Sequence, residues 1–407
     1  MPSGVAITGL GAVTALGGDV PALALGIAEG RSGIGPLTLF AHSGRCHTAA
    51  QVPEPLVAAV PTLPRATVRR LSRPDQFALA AAVEACRNAG LDAATRRRAA
   101  VFVGATTGGM RETEEVYRRR VAGDERRYRL SRVLGTPLAT SAAVVCQALG
   151  VYGGQTVVAT ACSSSALAIA LAAAAIRRGD VPVALAVGTD GLCRLTYAGF
   201  DALQALDPDG CRPFDRARRG LSLGEGGAAL VLEDAAHARA RGARPRATLL
   251  GHGTASDAHH VTAPHPDGAG AAAALRNALA SAGVSPDSVD YVNAHGTGTP
   301  QNDAVEIGVL RGVFGRRLAR VPVSSTKSQI GHTLGAAGIV EAAVTVLALE
   351  DGIVPATVGL RTPEPAWDDL DLVPTAGRRA AIRIAVTSSY GFGGHNVSLV
   401  LARPEAA

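Results

Sequence analysis

Apolar residues along this chain fall into two alternating rhythms. Short β-branched or aliphatic runs at residues 5–7, 100–103, 156–159 and 183–187 are too brief for helices and read as buried strands. Alanine-rich stretches at 77–89 and 164–178 carry their apolar residues at helical spacing and predict helices between those strands. Strands alternating with helices of this length predict an α/β fold with helices on both faces of the sheet.

The plan then starts again. A strand is predicted at 247–250, a helix at 271–282 and a further strand at 291–293. The closest echo lies between two helices. One opens at Cys162, continues through Leu167 to Ala170 and stops near Asp180, Val181 and Pro182. The other opens at His332, continues through Ile339 to Ala342 and stops near Ile353, Val354 and Pro355. A reactive residue at the start of each matching helix points to an internal duplication. The polar stretch 239–246 reads as the seam, dividing the chain into halves 1–245 and 246–407.

Composition narrows the function classes. With 47% hydrophobic and 18% charged residues over 407 positions, the chain can build a large core and is not of disordered composition. A net charge of +6 suits an acidic partner, but seven Phe, six Tyr and one Trp give little for stacking bases, so no nucleic-acid partner is expected. The greasiest stretch, 166–176, ends at Arg177 and Arg178 and is too short for a bilayer, which needs ~20 apolar residues. No secretory signal opens the sequence, so a cytoplasmic location is expected. The six cysteines form no Cys-x-x-Cys and show no metal spacing, and His259, His260, His265 and Asp257 show no ligand spacing either, so no bound metal is expected. Gly9 and Gly11 lack the third glycine of a dinucleotide fingerprint. Arg118 to Arg120, with Arg126 and Arg127, read as a solvated helix face.

The candidate chemistry lies in four segments. Cys162, in Thr160-Ala161-Cys162-Ser163-Ser164-Ser165, follows a strand and opens a helix. Unpaired amides at a helix start favour the thiolate, and the serines can cap them. His295 precedes the turn Gly296-Thr297-Gly298-Thr299-Pro300, where the backbone can approach a ligand and hydroxyls can hold an amide-rich tether. His332 follows Gly331 in a second glycine-rich turn. Of the 40 basic residues one alone is a lysine, Lys327, which marks a position where a compact ammonium does what a guanidinium cannot. Near the C-terminus Gly391-Phe392-Gly393-Gly394 follows a strand at 384–387 and can present amides to an oxyanion. A thiol with two imidazoles indicates acyl transfer through a thioester.

Taken in order, these segments resemble the β-ketoacyl-ACP synthases, the condensing enzymes of fatty-acid and polyketide synthesis, from Gly4 to Leu401. The segments 212–215, 223–226 and 257–264 extend the likeness. The resemblance implies a thiolase-like fold, duplicated halves in five αβαβα layers, and a dimer. It implies that Cys162 carries the acyl chain, that His295 and His332 stabilise the enolate formed from malonyl-carrier protein, and that Lys327 and Glu341 support them. The amides of Cys162 and Phe392 would form the oxyanion hole, with Phe392 also as a gate. Thr297 and Thr299 would hold the phosphopantetheine arm, which the acyl carrier protein supplies, so no bound cofactor is implied. Asp303 and Glu306 would be supporting carboxylates, and Arg65, Arg69, Arg70 and Arg73 the face that docks the acidic carrier.

Three departures point away from housekeeping fatty-acid elongation and toward type II polyketide or polyene synthesis. Thr106-Thr107-Gly108 stands where a bulky aliphatic residue is common at the acyl pocket, with hydroxyls that suit a polar or unsaturated chain, the loop between Asp190 and Arg212 is short, and His395 replaces a commoner threonine. A housekeeping elongating synthase, and the catalytic half of a heterodimer with a chain-length-factor-like subunit, are the alternatives. A non-catalytic chain-length subunit is disfavoured by Cys162 and both histidines. A thiolase would need a second catalytic cysteine in the C-terminal half, and a starter-unit synthase an asparagine at position 332.

Overall fold

The computed structural model describes residues 4–54, 63–124 and 130–404, apart from the side chain of Arg65. Arg126 and Arg127 lie outside the described residues. Ten strands form the main sheet: β1 (Val5–Val13), β2 (Ala100–Gly104), β3 (Gln155–Val158), β4 (Val183–Asp190), β5 (Gly226–Glu233), β6 (Ala247–Ser256), β7 (Tyr291–Asn293), β8 (Val323–Ser324), β9 (Ile384–Gly391) and β10 (His395–Ala402). Their order is β8-β7-β9-β10-β6-β1-β5-β4-β2-β3.

The order is a repeat. From β1 outward the pairings run antiparallel to β5, antiparallel to β4, then parallel to β2 and β3. From β6 outward they run antiparallel to β10, antiparallel to β9, then parallel to β7 and β8. The two sets meet where Val5, Ala6 and Ile7 pair with Leu249, Thr248 and Ala247.

Seven helices matter for the site: α1 (Arg73–Asn88), α2 (Ala139–Leu149), α3 (Ser164–Arg177), α4 (Arg194–Ala202), α5 (Ala269–Ala282), α6 (Pro300–Phe314) and α7 (Ala337–Asp351). Side chains on each strand divide between two cores. In β4, Val183, Leu185 and Val187 face α1 and α2, while Ala184 and Ala186 face α3 and α7. In the other half, Val386 and Val400 face α5 and α6, while Ala385, Leu399 and Leu401 face α3 and α7. Strands buried on both faces need the continuous apolar runs seen in the sequence. The result is five layers, with α3 and α7 shared in the middle. α7 is buried all round from Ala337 to Leu349, as a helix packed between the two five-stranded sets of the sheet must be.

Gly9 and Gly11 are packing glycines. A Cβ there would stand 2.3 Å from Ala85 O and 1.9 Å from Ala81 O, so α1 lies directly on β1. Gly251 and Gly253 play the same part under α5 in the second half, with Ala282 N at 2.4 Å and Ala274 O at 2.2 Å. α1 begins at Arg73, four residues before the apolar pattern, because Ser72 and Asp75 form a reciprocal capping box and Pro74 stands in the first turn. The helix after His332 starts only at Ala337, because Leu334 has φ 53° and a 3₁₀ turn spans Leu334–Ala336.

Candidate active site

Cys162 stands at a sharp elbow between β3 and α3. Ala161 adopts φ 50°, a left-handed conformation that a residue with a Cβ holds only under constraint from its surroundings. The serines tie the elbow rather than cap the helix. Ser163 Oγ donates to Thr160 O at 2.8 Å, Ser164 Oγ donates to Ala161 O at 2.6 Å and accepts from Thr160 N at 2.8 Å. Gly391 lies against it, where a Cβ would be 2.8 Å from Thr160 O and 3.3 Å from Cys162 N. The Phe392 amide donates to the Cys162 sulfur. Burial pushes the thiol up to about 11, against the pull of the Lys327 ammonium and that amide, so the resting group is a thiol. The low-pKa thiolate expected at a helix start is thus outweighed by burial.

His295 and His332 meet on the other wall, ring centroids 5.5 Å apart and planes at 88°. Lys327 Nζ lies 3.3 Å from His295 Nδ1, donates to His295 O at 2.6 Å, and pairs with Glu341. These three contacts match the three N–H groups of one ammonium, in a site where Lys327 is wholly buried. A planar guanidinium cannot take that place. His332 Nδ1 accepts the Leu334 amide at 3.1 Å. Both Nδ1 atoms are therefore acceptors, which places the proton of each neutral ring on Nε2. Burial, together with the Lys327 charge, holds both imidazoles well below the ordinary histidine range. Burial also pushes Glu341 up to about 7, against the Lys327 charge.

The turn after His295 is held by two buried carboxylates on α6. Glu306 accepts the amides of His295 and Gly296, both at 2.7 Å, and burial pushes it up to about 7. Asp303 accepts the amides of Phe214 and Gly298, at 2.8 and 3.1 Å. Thr297 and Thr299 hydroxyls lie 2.8 Å apart at the cavity wall, and Thr299 caps α6.

Sequence reasoning missed Asp190. Its carboxylate, at the end of β4, accepts the Thr107 amide and hydroxyl at 2.7 Å each, the Thr106 amide at 3.0 Å and the Thr106 hydroxyl. It also accepts the Gly335 amide at 2.7 Å, three residues past His332. One buried carboxylate thus joins the loop after β2 to the histidine loop. An acid after a β-branched run reads as an ordinary strand end, and only the two neighbouring threonine hydroxyls hinted at it. The same contacts correct the reading of Thr106 and Thr107: their hydroxyls are engaged by Asp190 and are not offered to a bound chain.

The docking face also needs correction. Arg69 and Arg70 are exposed, and Arg65 lies on the short helix Arg65–Val68. Arg73 is 3% exposed. Its guanidinium donates to Glu225 Oε2 at 3.1 Å, Glu54 Oε1 at 2.8 Å and Val52 O at 3.1 Å, and a group held on three sides inside the protein cannot dock a partner.

A cavity of about 450 Å³ opens to Cys162, His295 and His332 together. Thr297, Thr299 and Phe392 line it as well. Lys327, Glu341, Asp303 and Glu306 stand behind this wall and do not line it. Among the described residues there is no cluster of potential metal ligands, and no helix is long and apolar enough to cross a membrane. A nucleophile backed by amides, facing two N–H donors across one cavity, can form a thioester and steady an oxyanion or enolate beside it.

Sequence comparison agrees with this geometry. Residues 3–238 match the beta-ketoacyl synthase N-terminal domain and residues 246–361 its C-terminal domain. The chain belongs to the beta-ketoacyl synthase family, condensing enzymes of the acyltransferase type with a thiolase-like fold. It is 36% identical, over 98% of both chains, to the 3-oxoacyl-[acyl-carrier-protein] synthase 2 of Synechocystis sp.. The Staphylococcus aureus protein of the same name is 36% identical over 99% of both chains. Among solved structures, the ishigamide ketosynthase/chain length factor superposes with a TM-score of 0.92 at 34% identity over all of both chains. A ketosynthase in complex with its chain length factor from Xenorhabdus doucetiae gives 0.86 at 33% identity, over 99% of this chain and 98% of that one.

Proposed function

We propose that this chain is a β-ketoacyl-ACP synthase that condenses an acyl thioester on Cys162 with malonyl-carrier protein. The carrying observation is that both imidazoles lining the Cys162 cavity have Nδ1 engaged by a donor, which leaves the Nε2–H of each neutral ring to donate. In the first step the sulfur of Cys162 attacks the acyl-carrier thioester. A new S–C bond forms, the carrier's C–S bond breaks, and the carrier thiol leaves with the proton Cys162 gave up. Malonyl-carrier protein then binds, its carboxylate leaves as carbon dioxide, and the electron pair stays as an enolate held by His295 and His332. The enolate carbon attacks the acyl carbonyl, whose oxygen is received by the amides of Cys162 and Phe392. The C–S bond breaks, the sulfur leaves as a thiolate and takes a proton from water to restore the thiol, and the β-ketoacyl chain leaves on the carrier.

Lys327 and Glu341 fix the tautomer of His295, while Glu306 and Asp303 hold its turn. Thr297 and Thr299 receive the phosphopantetheine arm of the carrier, and the enzyme needs no resident cofactor or metal. The acidic carrier docks near Arg65, Arg69 and Arg70, steered by the chain's positive charge. Phe392 gates the cavity. The halves 1–245 and 246–407 contribute the nucleophile and the histidines respectively. The protein works in the cytoplasm, without membrane or nucleic acid, as a homodimer or with a chain-length-factor-like subunit.

For pathway, we read type II polyketide or polyene synthesis. The likeness to the ishigamide ketosynthase/chain length factor favours it. Housekeeping elongation is the second reading, favoured by the name of the two bacterial relatives. The hydroxyls of Thr106 and Thr107 no longer bear on the choice. The test supplies purified protein with saturated or polyunsaturated acyl primers and malonyl-carrier protein, with and without a partner subunit. A β-ketoacyl-carrier product supports the proposal, and the preferred primer separates the two pathways. No product with any primer or partner would overturn it.

A further inference from the structure

The cavity wall opposite the histidines contains a device that the catalytic machinery does not account for. Phe200, near the end of α4, stacks on Phe392 with ring centroids 5.5 Å apart and planes at 19°. The next residue, Asp201, does not line the cavity and is 7% exposed. Its Oδ2 accepts the Nε2–H of His42 at 2.8 Å and the amide of Arg45 at 2.9 Å. Both partners belong to a segment, residues 40–48, that crosses α4 as a strap.

The strap fits α4 closely. Tyr197, one turn before Asp201, is wholly buried, and its hydroxyl donates to Thr48 O at 2.8 Å. Its ring meets His42 edge-on at 4.9 Å and Phe40 at 6.0 Å. The Arg194 guanidinium lies 5.3 Å from the Phe40 ring. A Cβ at Gly44 would come within 1.7 Å of Asp201 Oδ2, so the turn of the strap closes directly on the carboxylate. Beyond α4 the chain continues as cavity wall through Leu203, Gln204 and Ala205.

We infer that His42 and Asp201 are positioning residues, a latch that seats α4 so that Phe200 holds Phe392 over Cys162. The inference rests on the role proposed above for the Phe392 amide and gate. α4 is fastened to the strap at Asp201 by a charged hydrogen bond between largely buried groups, and the neighbouring Phe200, packed beside the strap's own apolar cluster, carries the ring on which the gate rests. Releasing the latch frees α4 to shift, and the Phe392 amide then loses its place against the sulfur. Small misplacements of a group that stabilises an oxyanion have large kinetic effects.

The test uses the full chain as Asp201→Ala, His42→Ala, the conservative Asp201→Asn and Phe200→Leu. Two rates are measured on each: acyl transfer to Cys162 from a small acyl thioester, and alkylation by iodoacetamide, located by peptide mass. Alkylation needs no oxyanion donor, so the two rates should move in opposite directions. In Asp201→Ala and His42→Ala, acyl transfer falls about 5-fold or more. Alkylation rises at Cys162 and at Cys46, which sits in the strap and is otherwise buried. Phe200→Leu moves Cys162 alone, and Asp201→Asn, which keeps the acceptor, returns toward wild type. Alkylation spreading to Cys86 and Cys211, which lie away from α4 and the strap, would mean general loosening and overturn the latch. Wild-type rates in Asp201→Ala would overturn it too. If wild type itself fails to acylate Cys162, the proposed function falls instead.

Discussion

α3 and α7 occupy equivalent places in the two halves, packed side by side in the middle layer, yet they open onto different chemistry. α3 begins at an uncharged elbow, where Cys162 is fastened by serine hydroxyls and backbone. α7 follows the loop of His332, whose Nδ1 accepts the Leu334 amide, and it carries Glu341, which pairs with the buried Lys327 ammonium behind His295. The repeat supplies two helix starts facing one cavity. The departures from the repeat supply the reaction: a nucleophile on one side, fixed proton donors on the other. Asp190 joins the two sides by holding Thr106, Thr107 and Gly335 at once.

The comparison can be broken most forcefully on the charged side. Lys327→Met leaves Glu341 buried without its partner and His295 without its donor. Unfolding experiments should show a loss of ~3–5 kcal/mol. Adding Glu341→Leu should restore much of the stability but none of the condensing activity. Restored activity would mean that the lysine acts only on folding.

The link between the halves comes next. Asp190→Asn puts an amide among donors that need acceptors, so denaturant unfolding should show a loss of ~1–3 kcal/mol, and condensation should fall more than thioester formation. Equal effects on both steps would deny Asp190 its place behind His332.

On the uncharged side the test is pH. A thiol raised to about 11 is protonated at neutral pH. Iodoacetamide alkylation of Cys162 should therefore climb about tenfold per pH unit through the mildly alkaline range. A plateau near neutrality would show that the helix start outweighs burial after all. The smallest effect belongs to the surface. Arg69→Glu with Arg70→Glu should raise KM for carrier substrates about 5-fold, more at low salt, and leave small thioesters untouched.

Much of this site was legible in the sequence because its chemistry is local. The Cys162 elbow, the two histidine turns and the glycine run before β10 each carry their signal in a few adjacent residues. The single lysine was legible by its rarity. What could not be read depended on residues far apart. Arg73 looks like one more member of a basic surface row, and only the fold brings Glu225 to it. Asp190 takes its importance from loops 83 and 145 positions away. The serines after Cys162 fit a capping pattern, but the elbow's own carbonyls compete for their hydroxyls. The helix start that favours a Cys162 thiolate is a local signal, whereas the burial that opposes it is set by the whole fold.

The most direct test of this division of labour is carbon dioxide release from malonyl-carrier protein by Cys162→Ala, His295→Ala and His332→Ala. If the nucleophile and the enolate donors are separate devices, Cys162→Ala still decarboxylates malonyl-carrier protein although it forms no acyl-enzyme, and each histidine variant loses decarboxylation while Cys162 still accepts an acyl group. Loss of decarboxylation in Cys162→Ala, or its survival in both histidine variants, would contradict the account.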